Sequence, residues 1–138
     1  MIQTLAIIKP DGVERGLIGD VIKRIESKGL RIAAVRMMHL TKERAEIFYA
    51  AHRGRPFFDG LTIFMSSGPC LAMVLVGENA IGQWRDLMGA TDCSQAAEGT
   101  IRRDFATDIQ RNVVHGSDCE NAASFEIGCF FNRFEISA

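Results

Sequence analysis

The residues best suited to chemistry are one histidine and a scattered set of cationic and polar side chains. His115 sits in Asn112-Val113-Val114-His115-Gly116-Ser117-Asp118, beside a glycine that leaves its ring uncrowded and just ahead of a helix start. A lone histidine in a loop is most often only a polar loop residue, but an imidazole is also a nucleophile near neutral pH. Lys9, His52, Arg85, Arg102 and Asn112 each fall at an element end or in a loop. Singly, each reads as a solvated surface group, yet arginine forks match phosphate oxygens, and the set as a whole suits a site that brings phosphates to His115. Glu126 lies on the polar face of the last predicted helix and could orient an imidazole by bonding one ring nitrogen. Phe57 and Tyr49 read as core aromatics at helical spacing. An exposed Phe57 would instead offer a stacking face for a base.

Several standard signatures are missing. No Gly-Lys-Ser/Thr follows a glycine loop, and no G-x-G-x-x-G, His-Arg-Asp, H-E-x-x-H or G-x-S-x-G run occurs. Phosphate, if bound, is therefore held by side chains.

Composition narrows the class. The 138 residues suit a single domain, 1–138, with a real hydrophobic core. The formal net charge of -1 argues against nucleic acid as a main partner, since such binding rests on phosphate neutralisation. No apolar run is long enough to span a bilayer, and Met1-Ile2-Gln3-Thr4 lacks the features of a signal peptide. Cys70, Cys93, Cys119 and Cys129 form no C-x-x-C pair and no zinc-ligand spacing, which favours reduced thiols in a cytoplasmic protein.

The elements that must position these groups follow from periodicity. Thr4 to Ile8 is a short apolar run stopped by Lys9-Pro10-Asp11-Gly12, a buried strand ending in a turn. Leu17, Ile18, Val21, Ile22 and Ile25 recur at helical spacing, with Gly29 as the stop. Leu30 to Leu40 reads as a strand, Thr41 caps a helix through Phe48 and Tyr49, and a further helix begins just after Pro56. Cys70 to Val76 is a second buried strand, and Ala80 to Met88 a helix. Gly89 to Val114 is a long connection with one short helix after Thr100, and its content argues for function. Ser117-Asp118-Cys119-Glu120 reads as a capping box opening the last helix, and Phe130 to Phe134 as an added edge strand. This order predicts an α+β layered fold: a ferredoxin-like βαββαβ core, with a four-stranded antiparallel sheet and added helices.

The residues also carry a family resemblance. Ile7-Ile8-Lys9-Pro10-Asp11, His52-x-x-x-Pro56-Phe57-Phe58, Met65-x-Ser67-Gly68-Pro69, Arg85 to Thr91, Gly99-Thr100-Ile101-Arg102 and Asn112-x-x-His115-Gly116-Ser117-Asp118 resemble, in order and spacing, those of nucleoside diphosphate kinase. The resemblance implies transfer of the terminal phosphoryl of a nucleoside triphosphate, mainly ATP, to nucleoside diphosphates with broad base specificity. His115 would be the nucleophile, with ping-pong kinetics, and Glu126 the group that orients it. Arg85, Thr91, Arg102 and His52 match the family's phosphate contacts. Lys9 and Tyr49 match groups near the transferring phosphoryl, and Lys9 and Asn112 match ribose contacts. Phe57 matches the stacking residue, with Ile109 on the base's other face, and Leu61 belongs to the same substrate-binding set. Mg²⁺ would be held mainly by the nucleotide's phosphates rather than by a protein metal site, with Asp118 reaching it through water. The family forms homo-oligomers. Here Cys93 and Glu98 stand where its members often carry prolines in the loop of the trimeric contact, which loosens that loop by about 0.4–1 kcal/mol. A hexamer, a tetramer and a dimer all remain open. A nucleic-acid-binding or regulatory protein on the same fold is the competing reading.

Overall fold

The computed structural model describes residues 1–137. Strands β1 (Ile2–Ile8), β2 (Arg31–Met38), β3 (Cys70–Gly77) and β4 (Val114–Gly116) form one sheet in the order β2-β3-β1-β4, and every pairing is antiparallel. Helices α1 (Pro10–Glu14) and α2 (Ile18–Ser27) link β1 to β2; α3 (Lys42–Phe48) and α4 (Phe58–Met65) link β2 to β3. Helices α5 (Ala80–Met88) and α6 (Ile101–Phe105) precede β4, and α7 (Glu120–Phe130) follows it. This is the predicted α+β arrangement, with the added helices between β2 and β3, before β4 and at the end.

β1 and β3 read as continuous apolar runs because both faces of the sheet are covered. Side chains alternate along a strand. Leu5, Ile7, Ala72, Val74 and Val76 therefore enter one core with Phe48, Met65, Ile127 and Phe130. Ala6, Ile8, Leu71, Met73 and Leu75 enter the other with Val21, Ile25, Trp84 and Ile101. Thr41 caps α3 by accepting from the Arg44 amide, as its type predicts. Gly29, in the left-handed region at φ 79°, ends the α2 segment.

Three local expectations are corrected. The segment around His115 is not a loop but the edge strand β4, with His115 opposite Ile7. Phe130 to Phe134 adds no strand: α7 runs to Phe130, and Asn132 caps a short 3-10 turn at Arg133–Glu135 with a reciprocal Glu135 contact. That box withdraws the backbone amides of Phe134 and Glu135 from any ladder. Ser117 is not a helix cap either, because α7 starts at Glu120 with Cys119 preceding it and no capping side chain. The Ser117 hydroxyl is drawn instead to two longer-range partners, the Leu5 amide and the Glu126 carboxylate.

Candidate active site

β4 carries His115 at the sheet edge, and alternation sends its ring to the face covered by α7 and α3. There it meets the edges of Phe48 and Tyr49, with ring centroids 5.2 and 5.9 Å away. Its Nε2 lies 2.7 Å from Glu126 Oε1, and Ser117 Oγ donates to the same carboxylate oxygen at 3.0 Å. A carboxylate accepts, so Nε2 carries the proton and Nδ1 keeps its lone pair. From the opposite face, the Trp84 indole N–H donates to the His115 carbonyl at 3.0 Å. Gly116 serves this second packing. A Cβ there would come within 2.6 Å of Trp84 and 2.7 Å of Met88, so the glycine makes room for α5 under the strand rather than space around the imidazole.

The ring borders a cleft of about 500 Å³. Every predicted site residue lines it: Lys9, Tyr49, His52, Phe57, Leu61, Arg85, Thr91, Arg102, Ile109, Asn112, His115 and Glu126. Phe57 and Ile109 are exposed, at 47% and 63%. With Leu61 they make the apolar part of the cleft wall, and the bases make the polar part.

The polar end is built from buried groups. Lys9 follows β1 directly, and its Nζ donates to Asn112 Oδ1 at 2.8 Å. Burial, and secondarily the charge of Arg102, lowers the Lys9 pKa to about 8. The Asn112 amide nitrogen donates to the carbonyls of Ile109 and Thr91 at 2.9 and 3.3 Å. Arg102 reaches the carbonyls of Val114 at 2.7 Å, Gly89 at 3.1 Å and Asn112 at 3.4 Å. Burial first, then the neighbouring charge of Arg85, brings its pKa down to about 10, which leaves it cationic at neutral pH. Arg85 is held at the rim by Asp118 at 2.6 Å, a pair too exposed to add much stability. The Tyr49 hydroxyl and His52 Nδ1 are buried without partners among the described residues. Desolvation raises the Tyr49 pKa strongly, so its hydroxyl stays protonated.

Phe48, Trp84, Asp11 and Val113 also shape the site, and pattern reading did not give them these roles. Phe48 and Trp84 carry only a core-periodicity signal. Asp11 reads as a turn residue. Nothing about a β-branched residue announces the positive φ, 73°, that Val113 adopts.

The nucleoside diphosphate kinase family model matches residues 2–136. Nucleoside diphosphate kinase of Desulfosudis oleivorans is 65% identical over 136 residues, covering 99% of this chain and 98% of the relative. That of Myxococcus xanthus is 58% identical over 134 residues, covering 97% of this chain and 92% of the relative. The crystal structure of Aquifex aeolicus nucleoside diphosphate kinase superposes with a TM-score of 0.96 at 43% identity, covering 98% of each chain. The Halobacterium salinarum enzyme in complex with CDP superposes with a TM-score of 0.95 at 48% identity, covering 99% of this chain and 91% of that one. With a cleft of this make-up and likeness along the whole matched length, the chain belongs to the nucleoside diphosphate kinase family of nucleotide phosphotransferases.

Proposed function

We propose that this protein moves the terminal phosphoryl of a nucleoside triphosphate, mainly ATP, to nucleoside diphosphates in two steps through a phosphohistidine on His115. The observation that carries this reading is the commitment of Nε2 to Glu126, which leaves the Nδ1 lone pair as the nucleophile. Nδ1 attacks the terminal phosphorus, the bond to the bridging oxygen breaks, and the diphosphate leaves with that oxygen. In the return step a terminal oxygen of the acceptor diphosphate attacks the phosphorus, and Nδ1 regains its lone pair. The imidazole becomes cationic as it attacks, and the Glu126 carboxylate 2.7 Å away stabilises that charge. Lys9, Arg85 and Arg102 supply the positive field for the phosphates. Incubation with magnesium and ATP should leave an acid-labile phosphate on His115, discharged by added nucleoside diphosphate. Label on a serine, or none, would sink the reading.

Among the described residues no group of three or more His, Cys, Asp or Glu side chains could hold a metal ion. Glu126 is engaged with His115, and Asp118, the other acid lining the cleft, pairs with Arg85 at the exposed rim. This donor set fits Mg²⁺ held chiefly by the nucleotide's phosphates, with Asp118 reaching it through water. When bound, the ion neutralises phosphate charge.

Phe57, with Ile109 opposite, would hold the base by its π-face, which suits tolerance of any base; CDP is the nucleotide bound by the Halobacterium salinarum relative. Phe57→Ala should raise KM for nucleotides about tenfold while leaving the final extent of His115 labelling unchanged at saturation. Loss of labelling at saturating ATP would mark Phe57 as a folding residue instead.

Lys9 gives the site a pH dependence. Its proton is lost as pH rises through about 8, and with it one of the charges facing the phosphates. Nucleotide affinity should therefore fall above that pH, by at most about tenfold per unit, because binding favours the protonated lysine. A wild-type KM that stays flat between about pH 7 and 9.5 would contradict this, and Lys9→Met should bind weakly with a flat profile.

We place the protein in the cytoplasm, where its thiols stay reduced; all four are free. We also propose a homo-oligomer (hexamer or tetramer, with a dimer as the smaller alternative), supported by exposed Val35 and Met37 on edge strand β2.

A further inference from the structure

Asn112 and His115 are three residues apart. In a continuous strand, residues at that spacing point to opposite faces, yet both line the same cleft. The break in alternation is a three-residue turn centred on Val113. Its φ is 73°, and the Val114 N–H donates back to the Asn112 carbonyl at 2.8 Å. A buried β-branched residue does not hold that conformation unaided. What surrounds it is the turn that ends β1. The Lys9 N–H donates to the Val113 carbonyl at 2.7 Å, and the Val113 N–H donates to Asp11 Oδ2 at 3.1 Å. Gly12 lets the turn pack closely against the same residue: a Cβ there would stand 3.0 Å from Val113 Cγ1 and 3.3 Å from its carbonyl oxygen. Asp11 is buried, and its carboxylate is the only side-chain acceptor on the Val113 amide among the described residues.

We propose that Asp11 is a positioning residue for phosphoryl transfer: its carboxylate clamps the strained turn at Val113, so that Asn112 and the His115 imidazole face one cleft. Asp11 is not among the residues that line the cleft, and it acts through backbone geometry. Small displacement of a nucleophile from its attack position costs rate far more than binding. The inference rests on His115 as the phosphoryl carrier.

The test is the single-turnover rate of His115 phosphorylation by saturating magnesium-ATP, well below the unfolding temperature, with KM read separately. Asp11→Ala should slow phosphorylation about 10- to 100-fold with a smaller change in KM. Asp11→Asn, whose amide oxygen still accepts from the Val113 N–H, should stay within about threefold of wild type. Val113→Gly in the Asp11→Ala chain should restore most of the rate, because glycine takes φ of 73° without strain. An Asp11→Ala rate within twofold of wild type would overturn the proposal. So would an Asp11→Asn rate as low as that of Asp11→Ala, which would mean that the negative charge, not the hydrogen bond, matters. If Asp11→Ala does not fold, the comparison is made between Val113→Gly and the double variant. There the proposal expects less than threefold difference, and a tenfold loss would overturn it. Label in wild type with unaffected Asp11 variants defeats this inference alone; no label in wild type defeats it together with the function it rests on.

Discussion

His115→Ala should lose the phosphoenzyme and turnover together, with kcat/KM falling at least on the order of 10⁴-fold, as expected when a covalent nucleophile is removed. The fold should survive. The ring lies at the cleft edge with its side chain 17% exposed, so alanine empties a volume already open to water on one side. Glu126 loses one partner but keeps the Ser117 hydroxyl at 3.0 Å. The backbone of β4 keeps its ladder to β1 and the Trp84 bond to the His115 carbonyl. Thermal unfolding should therefore move by only a few degrees, a shift of about 1 kcal/mol. A folded variant that still turned over at a tenth of the wild-type rate would remove His115 from the mechanism.

Arg102→Ala should damage both stability and catalysis, which distinguishes it from every rim residue. The guanidinium serves the carbonyls of Val114, Gly89 and Asn112, tying α6 to the end of α5 and to both sides of the Val113 turn. Alanine strands those acceptors in a buried place, at a net cost of about 3 kcal/mol and a fall in melting temperature of about 10 °C. It also withdraws a buried positive charge from the polar end of the cleft, which should lower kcat/KM by roughly 10²–10³-fold. Arg102→Lys keeps a charge but not the planar fork, so it should recover little of the stability. A melting temperature within 2 °C of wild type for Arg102→Ala, a window of about half a kcal/mol, would mean that these carbonyl contacts carry no weight. Arg85→Ala makes the contrasting control, since its pair with Asp118 is solvent-exposed and should contribute almost nothing to stability.

Legibility followed the range of the interactions. β1, α2, β3 and α5 were readable because each announces itself within a few residues: apolar runs for buried strands, 3.6-residue spacing for helices, Gly29 for a stop. The Thr41 cap was readable for the same reason, since its partner is the Arg44 amide three residues on. β4 was not. It has three residues, too few for any periodic pattern, and it is a strand only because β1 offers it a ladder more than a hundred residues upstream. Ser117 shows the same competition. Its local sequence matches a helix cap, but the Leu5 amide and the Glu126 carboxylate hold its hydroxyl instead. Cys93 sits in a turn ordered by Asp92, whose carboxylate accepts from Ser94.

The sequence by itself determined which groups could do the chemistry and, through the spacing of their motifs, which family they resemble. It also determined the two-faced apolar strands that make the layered fold. Only the tertiary structure decided how those groups act. It gave Nε2 of His115 to Glu126, turned Gly116 toward Trp84, made Arg102 a buried tie as well as a charge, and bent the chain at Val113 against Asp11. The reason is physical. Propensity and periodicity are set by neighbours along the chain, whereas these contacts join residues such as Lys9 and Asn112, 103 positions apart, which meet only after the sheet has brought β1 and β4 together.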